Sequence, residues 1–236
     1  MKKTIGILGG MGPLATCDLF HKVVEVTEAG TDQEHIRVCV DSNTEIPDRT
    51  AAILSGGADP VPEMVRSALR LECMGADVLI MPCNTAHYFY DQVTRFVRTP
   101  FLHMIEETAK EADRLGIRKA GLLATDGTCR SGVYGKAFRK YGVELISPSE
   151  EGQKHVMDVI YKGIKAGDLT ISLDGFNGAM DELEGKGAEV LILGCTELPV
   201  AFEQFQISRP NLDPTRILAA AAVRFVGGKV KEPGSR

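Results

Sequence analysis

The chain has 236 residues, of which 44% are hydrophobic and 25% are charged, and its formal net charge is −5. It contains no basic run, which argues against a nucleic-acid partner, because phosphate backbones are bound by clustered Lys and Arg. No apolar run approaches the roughly 18 residues that span a bilayer, and the N-terminal segment leads into glycines, unlike a signal peptide. We therefore expect a protein with a small-molecule partner and no membrane partner.

Apolar, β-branched runs alternate with amphipathic stretches along the chain. The predicted strands are 4–8, 36–40, 78–81, 120–123, 143–146 and 190–193. The predicted helices between and after them are 62–74, 105–115, 131–141 and 173–183. This alternation predicts an α/β fold in which mostly parallel sheets are flanked by helices.

An internal repeat indicates that the fold is duplicated. The segment GADVLIMPC at 75–83 returns 112 residues later as GAEVLILGC at 187–195. A weaker echo relates 4–12 to 119–127. Matching glycines, acidic residues and terminal cysteines are more than buried strands would share by chance. The repeats predict two pseudo-symmetric lobes with an active site in the cleft between them.

We expect the first lobe to comprise residues 1–99 and 211–236, and the second lobe to comprise residues 100–210. A terminal helix over 213–225 is predicted to cross back onto the first lobe. The segment 227–236 is predicted to be a frayed tail.

Six cysteines, at positions 17, 39, 73, 83, 129 and 195, lie far apart in the sequence and form no CxxC pair. A chain of this length does not need disulfides, so we expect reduced thiols and a cytoplasmic location. A single cysteine is most often a small core residue, which is our expectation for Cys17, Cys39, Cys73 and Cys129.

Cys83 and Cys195 are different because each follows a repeated strand. Ligands of open parallel sheets bind beyond the carboxyl ends of the strands, so the two lobes are expected to oppose the two thiols. Inversion of a stereocentre through a carbanion requires one group to remove a proton and another to deliver one from the opposite face. Helices predicted to start at Asn84 and Thr196 would lower the thiol pKa.

The carbanion and its carboxylate also need preorganised hydrogen-bond donors. Side chains and amides at Asn84, Thr85 and Thr196 follow the two cysteines directly, and we assign them to the α-carboxylate of an amino acid.

Five motifs resemble the aspartate/glutamate racemase family. They are GGMGPLAT (9–16), SNTEIPDRT (42–50), MPCNTAH (81–87), GLLATDGT (121–128) and GCTELP (194–199). The resemblance covers nearly the whole chain. It implies that Cys83 and Cys195 are an acid/base pair, one thiolate and one thiol, acting on aspartate or glutamate, with aspartate favoured. It implies no pyridoxal phosphate or other cofactor, and a homodimer.

The same resemblance implies further substrate contacts. Arg49 and Lys165 match a basic pair that holds the side-chain carboxylate, through a two-pronged contact and a point charge respectively. Thr128 and Met11 are expected on loops of the two lobes that line the pocket. His87, one helical turn after Cys83, could tune the thiol or contact substrate, although a lone histidine is more often structural. Glu197 suits either the first turn of the following helix or proton transfer, and we leave it out of the catalytic pair.

Two other functions stay open. Gly10–Ala15 fits the dinucleotide fingerprint GxGxxA after a strand, with Asp41 as a candidate ribose ligand, which would indicate a nicotinamide oxidoreductase. A two-lobed cleft would also suit a non-catalytic protein that binds a small molecule. The histidines and cysteines show no metal-ligand spacing, so we expect no metal.

Overall fold

The computed structural model describes residues 2–231 and contains two parallel sheets. The first sheet has the order β2-β1-β3 and the second the order β5-β4-β6-β7, and every pair is parallel. The strands are β1 (Thr4–Gly9), β2 (Arg37–Ser42), β3 (Val78–Ile80), β4 (Lys119–Ala124), β5 (Glu144–Ile146), β6 (Val190–Gly194) and β7 (Asn211–Leu212). The predicted α/β class is confirmed.

Helices cover both faces of both sheets. They are α1 (Pro13–Val26), α2 (Arg49–Leu54), α3 (Val61–Cys73), α4 (Tyr90–Val93), α5 (Met104–Arg114), α6 (Asp126–Ser131), α7 (Val133–Lys140), α8 (Glu150–Asp158), α9 (Asp174–Gly185), α10 (Glu197–Gln204) and α11 (Pro214–Phe225). Short 3-10 helices lie at Asp32–Glu34, Thr85–Phe89 and Thr94–Phe96, and a π-helix continues α8 over Val159–Lys165. The four helices predicted between strands are present with ends shifted by one or two residues.

The sequence repeat has a local structural cause in each lobe. Gly75 and Gly187 both adopt left-handed backbone, with φ of 84° and 90°, where a side chain would be strained. The acidic residue two positions later accepts a hydrogen bond at the start of the neighbouring strand: Asp77 from the amide of Thr4 (2.7 Å), and Glu189 from the amide of Lys119 (2.8 Å). The repeat therefore specifies how β3 and β6 begin.

Helices α5 and α11 follow equivalent strand segments and pack on different sheets. Ile105 and Ala109 of α5 belong to a core with the second sheet, whereas Leu218 and Ala222 of α11 belong to a core with the first sheet. The terminal helix therefore does cross back, as predicted. The lobe boundaries at 99/100 and 210/211 stay a prediction, which this packing supports.

The chain after α11 differs from the predicted frayed tail. Val230 forms an antiparallel bridge with Thr27, and the amide of Lys231 donates to the carbonyl of Val26 (2.8 Å). Residues 227–231 are therefore held against the end of α1, which the tail's small and charged composition does not reveal. The rest of the predicted tail, 232–236, lies outside the described residues.

The core interpretation of the four other cysteines is wrong for two of them. Cys17 and Cys73 are exposed, and Cys39 and Cys129 are partly buried. Cys17 lies on the side of α1 opposite Leu19 and Val23, which pack against the sheet, and Cys73 is the last residue of α3.

Among residues 2–231, no helix combines the length and apolar composition needed to cross a bilayer.

Candidate active site

A cavity between the two sheets brings both repeated cysteines into one site. Its empty volume, which includes open solvent, is about 350 Å³. The lining residues come from both halves of the chain: Met11, Asp48, Arg49, Thr50, Cys83, Asn84, Thr85, Thr125, Tyr161, Lys165, Cys195, Thr196 and Glu197. Eight of the nine residues predicted from sequence are among them, and the ninth, Thr128, is not.

His87 anchors the segment that follows Cys83. The amide of Met104 donates to Nε2 of His87 (3.1 Å), so the other ring nitrogen, Nδ1, carries the proton and donates to the carbonyl of Cys83 (2.8 Å). Burial, and then the neighbouring His103, lower the pKa of His87 well below its ordinary value. His87 is therefore a neutral anchor of the cysteine loop, in agreement with its structural interpretation.

The side chain of Asn84 is held by Tyr134 of the second lobe. The fully buried phenol of Tyr134 on α7 donates to Oδ1 of Asn84 over 2.5 Å. Nδ2 of Asn84 is buried and has no hydrogen-bond partner in the protein. Because buried amide N–H groups are almost always paired, this nitrogen is a candidate contact for a ligand in the cavity.

Thr85 joins a triangle of threonine hydroxyls. Its Oγ1 lies 3.2 Å from Oγ1 of Thr125 and 2.9 Å from Oγ1 of Thr128, and the latter two are 3.1 Å apart. Thr85 and Thr125 line the cavity, whereas Thr128 stands behind them and contacts Thr85. A glycine allows this close approach of the lobes, because a Cβ on Gly127 would lie 2.8 Å from Thr50 of α2.

The segment after Cys195 carries a carboxylate against the thiol. Sγ of Cys195 donates to Oε2 of Glu197 over 2.8 Å, and the hydroxyl of Thr196 donates to the same oxygen over 3.2 Å. Burial, and then the charge of Glu197, raise the pKa of Cys195 well above its ordinary value. The expectation that the helix start lowers the thiol pKa is therefore wrong for Cys195, because desolvation and a like charge outweigh the helix end.

Lys165 lies close to the same cluster. Its Nζ is 3.9 Å from Oε1 of Glu197 and 4.4 Å from the ring centroid of Tyr161, one turn earlier in the π-helix. Burial acts to lower the pKa of Lys165, but the charges of Glu197 and the cysteines raise it above its ordinary value. The ammonium therefore stays charged where a substrate would bind. A π-helix at this place fits the tendency of such segments to occur at functional sites.

Arg49 is fixed by backbone carbonyls on the opposite side of the cavity. Its guanidinium donates to the carbonyls of Ile46 (3.1 Å), Pro47 (2.9 Å) and Met11 (3.4 Å). Its Nε is buried and has no partner in the protein. The side chain is therefore preorganised, with donor capacity left for a ligand.

The glycine-rich loop has a packing explanation that needs no nucleotide. Gly10 has a φ of 91°, and a Cβ there would lie 2.2 Å from the backbone oxygen of Asn43. Arg70 approaches the carboxylate of Asp41, the candidate ribose ligand, at 3.4 Å.

Within residues 2–231, no group of three or more His, Cys, Asp or Glu side chains is arranged to hold a metal ion.

Sequence reasoning missed several residues that line or support the cavity. Glu197 was left out of the site, although its place two residues after a repeated cysteine had raised proton transfer as one of its two possible roles. Asp48, Thr50 and Thr125 lie inside the quoted motifs, Tyr161 lies four residues before Lys165, and all four line the cavity. Tyr134 has no such signal, because an aromatic residue on the buried face of a helix is most often a core residue.

Comparison with known proteins gives one family model, described as Asp/Glu/hydantoin racemase, which matches residues 8–222. A broad-specificity amino-acid racemase of Bacillus subtilis is 27% identical over 232 residues, covering 93% of this chain and 96% of the relative.

Two solved structures share the fold of this chain. The aspartate racemase of Picrophilus torridus is 33% identical and superposes with a TM-score of 0.85 over 97% of this chain and 96% of its own. A glutamate racemase of Francisella tularensis, solved with D-glutamate, is 18% identical, with a TM-score of 0.70 over 95% of this chain and 81% of its own. The second comparison supports the fold alone.

Proposed function

Because the chain belongs to the Asp/Glu/hydantoin racemase family and is therefore an isomerase of the racemase type, we propose that it interconverts L- and D-aspartate by proton transfer between Cys83 and Cys195. The observation that carries this proposal is the single cavity lined by both thiols and by two cationic side chains, Arg49 and Lys165. Glutamate is the second candidate substrate.

The two thiols would act on opposite faces of the α-carbon. One sulfur, as thiolate, takes the α-proton and becomes a thiol, while the electron pair left on the α-carbon is delocalised into the carboxylate. The other thiol then delivers its proton to the opposite face and becomes a thiolate. The raised pKa of Cys195 favours its thiol form, so in one direction of the reaction Cys195 suits the role of proton donor and Cys83 that of the base, and the roles are exchanged in the other direction.

The α-carboxylate has to be stabilised because an α-proton is a far weaker acid than a thiol, and each pKa unit of mismatch costs about 1.4 kcal/mol. We assign this stabilisation to donors at Asn84, Thr85 and Thr196. The buried, unpaired Nδ2 of Asn84 supports the assignment, since a carboxylate oxygen would satisfy it.

Arg49 and Lys165 would bind the side-chain carboxylate. The unpaired Nε of Arg49 and the charged Nζ of Lys165 line the same cavity, so a second carboxylate can contact both cations. Relatives support the choice of aspartate only in part, because one is an aspartate racemase and another is a broad-specificity amino-acid racemase. One methylene changes discrimination by about 1 to 3 kcal/mol, so glutamate differs from aspartate by a modest margin.

The test is to incubate the purified protein, without added cofactor, with L-aspartate, L-glutamate or L-alanine and to follow the enantiomer ratio by chiral chromatography. We expect racemisation of aspartate above glutamate and little of alanine, which lacks the side-chain carboxylate. Cys83→Ala and Cys195→Ala should each lower the rate by about 100- to 10,000-fold. The control Cys17→Ala removes an exposed thiol outside the cavity and should keep full activity.

Activity that survives both cavity variants would overturn the two-thiol mechanism, and preference for alanine would overturn the acidic substrate. Four expectations from the sequence stay predictions beside this proposal: a cytoplasmic location, a homodimer, a requirement for no cofactor, and no nucleic-acid partner.

A further inference from the structure

A hydrogen bond across the cleft links Tyr134 to the candidate substrate contact Asn84. Tyr134 lies on α7, among residues that cover the second sheet, whereas Asn84 follows β3 of the first sheet. The Tyr134 hydroxyl and Oδ1 of Asn84 are 2.5 Å apart, and both side chains are almost completely buried. The two lobes therefore share this contact at the wall of the cavity.

The bond fixes which end of the amide faces the cavity. With Oδ1 occupied by the phenol, the unpaired Nδ2 is the end left for a ligand. If the amide were reversed, Oδ1 would face the cavity and its lone pairs would repel a carboxylate. Burial, and then nearby Cys195 and Asp213, raise the pKa of the Tyr134 phenol well above its ordinary value, so the hydroxyl keeps its proton and remains a donor.

The main chain at this place is held independently of Tyr134. Thr85 is bonded to Thr125 and Thr128, and the carbonyl of Cys83 accepts from His87. Removal of the Tyr134 hydroxyl should therefore free the Asn84 amide while the backbone around it stays in place.

We infer that Tyr134 is a positioning residue, whose hydroxyl orients the Asn84 amide so that Nδ2 donates to the α-carboxylate of the substrate. This inference rests on the proposed function, and it adds a residue of the second lobe that acts only through a residue of the first lobe.

A double-mutant cycle tests the inference. Asn84→Ala should lower kcat/KM for aspartate by about 10- to 100-fold, the range for loss of a hydrogen bond to a charged group. Tyr134→Phe should lower it by about 5-fold, mainly through KM, and should change it less than about 2-fold when Asn84 is already alanine. Tyr141→Phe, at the end of the same helix, makes the same chemical change away from the cavity and serves as the control.

The analogue β-alanine, used as a competitor, sharpens the test because it is aspartate without the α-carboxylate. Its inhibition constant should be unchanged in Tyr134→Phe, whereas KM for aspartate rises. The inference would be overturned if the effects of the two substitutions on kcat/KM multiply. It would also be overturned if Tyr134→Phe has wild-type kinetics. A wild type that racemises no acidic amino acid would overturn the proposed function as well, so the two failures are distinguishable.

A measurement on the unsubstituted protein covers the case in which Tyr134→Phe does not fold. The side-chain amide NMR signals of Asn84, assigned by their absence in Asn84→Ala, should shift when D-aspartate is added and stay in place with β-alanine. Signals that ignore aspartate, while other cavity residues respond, would show that Nδ2 is not turned to the α-carboxylate.

Discussion

Cys83 and Cys195 follow equivalent strands, but the segments after them surround the two thiols differently. The Cys83 segment is a 3-10 helix anchored by His87 below and by Tyr134 and threonine hydroxyls across the cleft. The Cys195 segment begins α10, and there Glu197 contacts the sulfur directly. One thiol therefore lies in a firmly braced loop, and the other lies against a carboxylate.

This difference indicates how a duplicated fold acquires an asymmetric site. The repeat specifies the glycine turn, the strand and the cysteine, and these features place the two sulfurs in one cavity. The residues just after each cysteine then differ: we propose that Asn84 and Thr85 supply donors for a carboxylate, whereas burial and the charge of Glu197 raise the pKa of Cys195. In the proposed reaction both lobes therefore bind the substrate, and the second lobe keeps a proton on its thiol.

The largest expected effect concerns which enantiomer each thiol serves. In deuterated water, Cys195→Ala retains only Cys83 and should exchange the α-proton of one enantiomer without inverting it, while Cys83→Ala should exchange the other enantiomer. Both variants should lose net racemisation by about 100- to 10,000-fold. Proton NMR of L- and D-aspartate measures the exchange directly. If a single variant exchanges both enantiomers at similar rates, the two thiols do not act on opposite faces.

A smaller effect is expected from Glu197→Gln. Burial and the charge of Glu197 raise the pKa of Cys195, so removal of that charge should lower this pKa. In the direction in which Cys195 donates its proton, the basic limb of the profile of kcat/KM against pH should move to lower pH, so activity is lost at a lower pH than in the wild type. Glu203→Gln, an exposed position on the same helix, is the matched control. An unshifted profile would remove Glu197 from control of the thiol.

Periodicity and the repeat predicted the fold well, because buried parallel strands and amphipathic helices leave local patterns. The repeat singled out the two cysteines, the family resemblance pointed to Arg49 and Lys165, and all four line the cavity. The predicted family is confirmed. Contacts between distant residues left no such pattern. Tyr134 looks like any core aromatic, and its partner Asn84 lies 50 residues away.

Three residues, Glu197, Thr128 and Cys17, show where local reasoning fails. Acidic residues are favoured in the first turn of a helix, so the helix start alone accounts for Glu197. Its contact with the Cys195 thiol is therefore not visible in the sequence. Thr128 was expected at the pocket wall, but Thr85 of the other lobe stands in front of it, and only the packing of the two lobes determines that order. Exposure of Cys17 likewise depends on which face of α1 meets the sheet.

The smallest expected effect concerns His87 and is seen in stability rather than in the reaction. His87 anchors the Cys83 segment and has no counterpart in the second lobe, where Pro199 occupies the equivalent position after Cys195. The pKa of His87 is lowered by burial, so the folded protein does not bind the proton that the unfolded chain takes up near pH 6.5. This contribution to stability is present above pH 6.5 and is lost as the pH falls, by about 2 kcal/mol between pH 7 and pH 5. His87→Gln keeps a donor and an acceptor but cannot titrate. Denaturant unfolding should therefore show a smaller decrease in the free energy of unfolding between pH 7 and pH 5 than in the wild type. His21→Gln, at an exposed histidine, should behave like the wild type, and an equal loss in His87→Gln would mean that His87 is protonated in the fold.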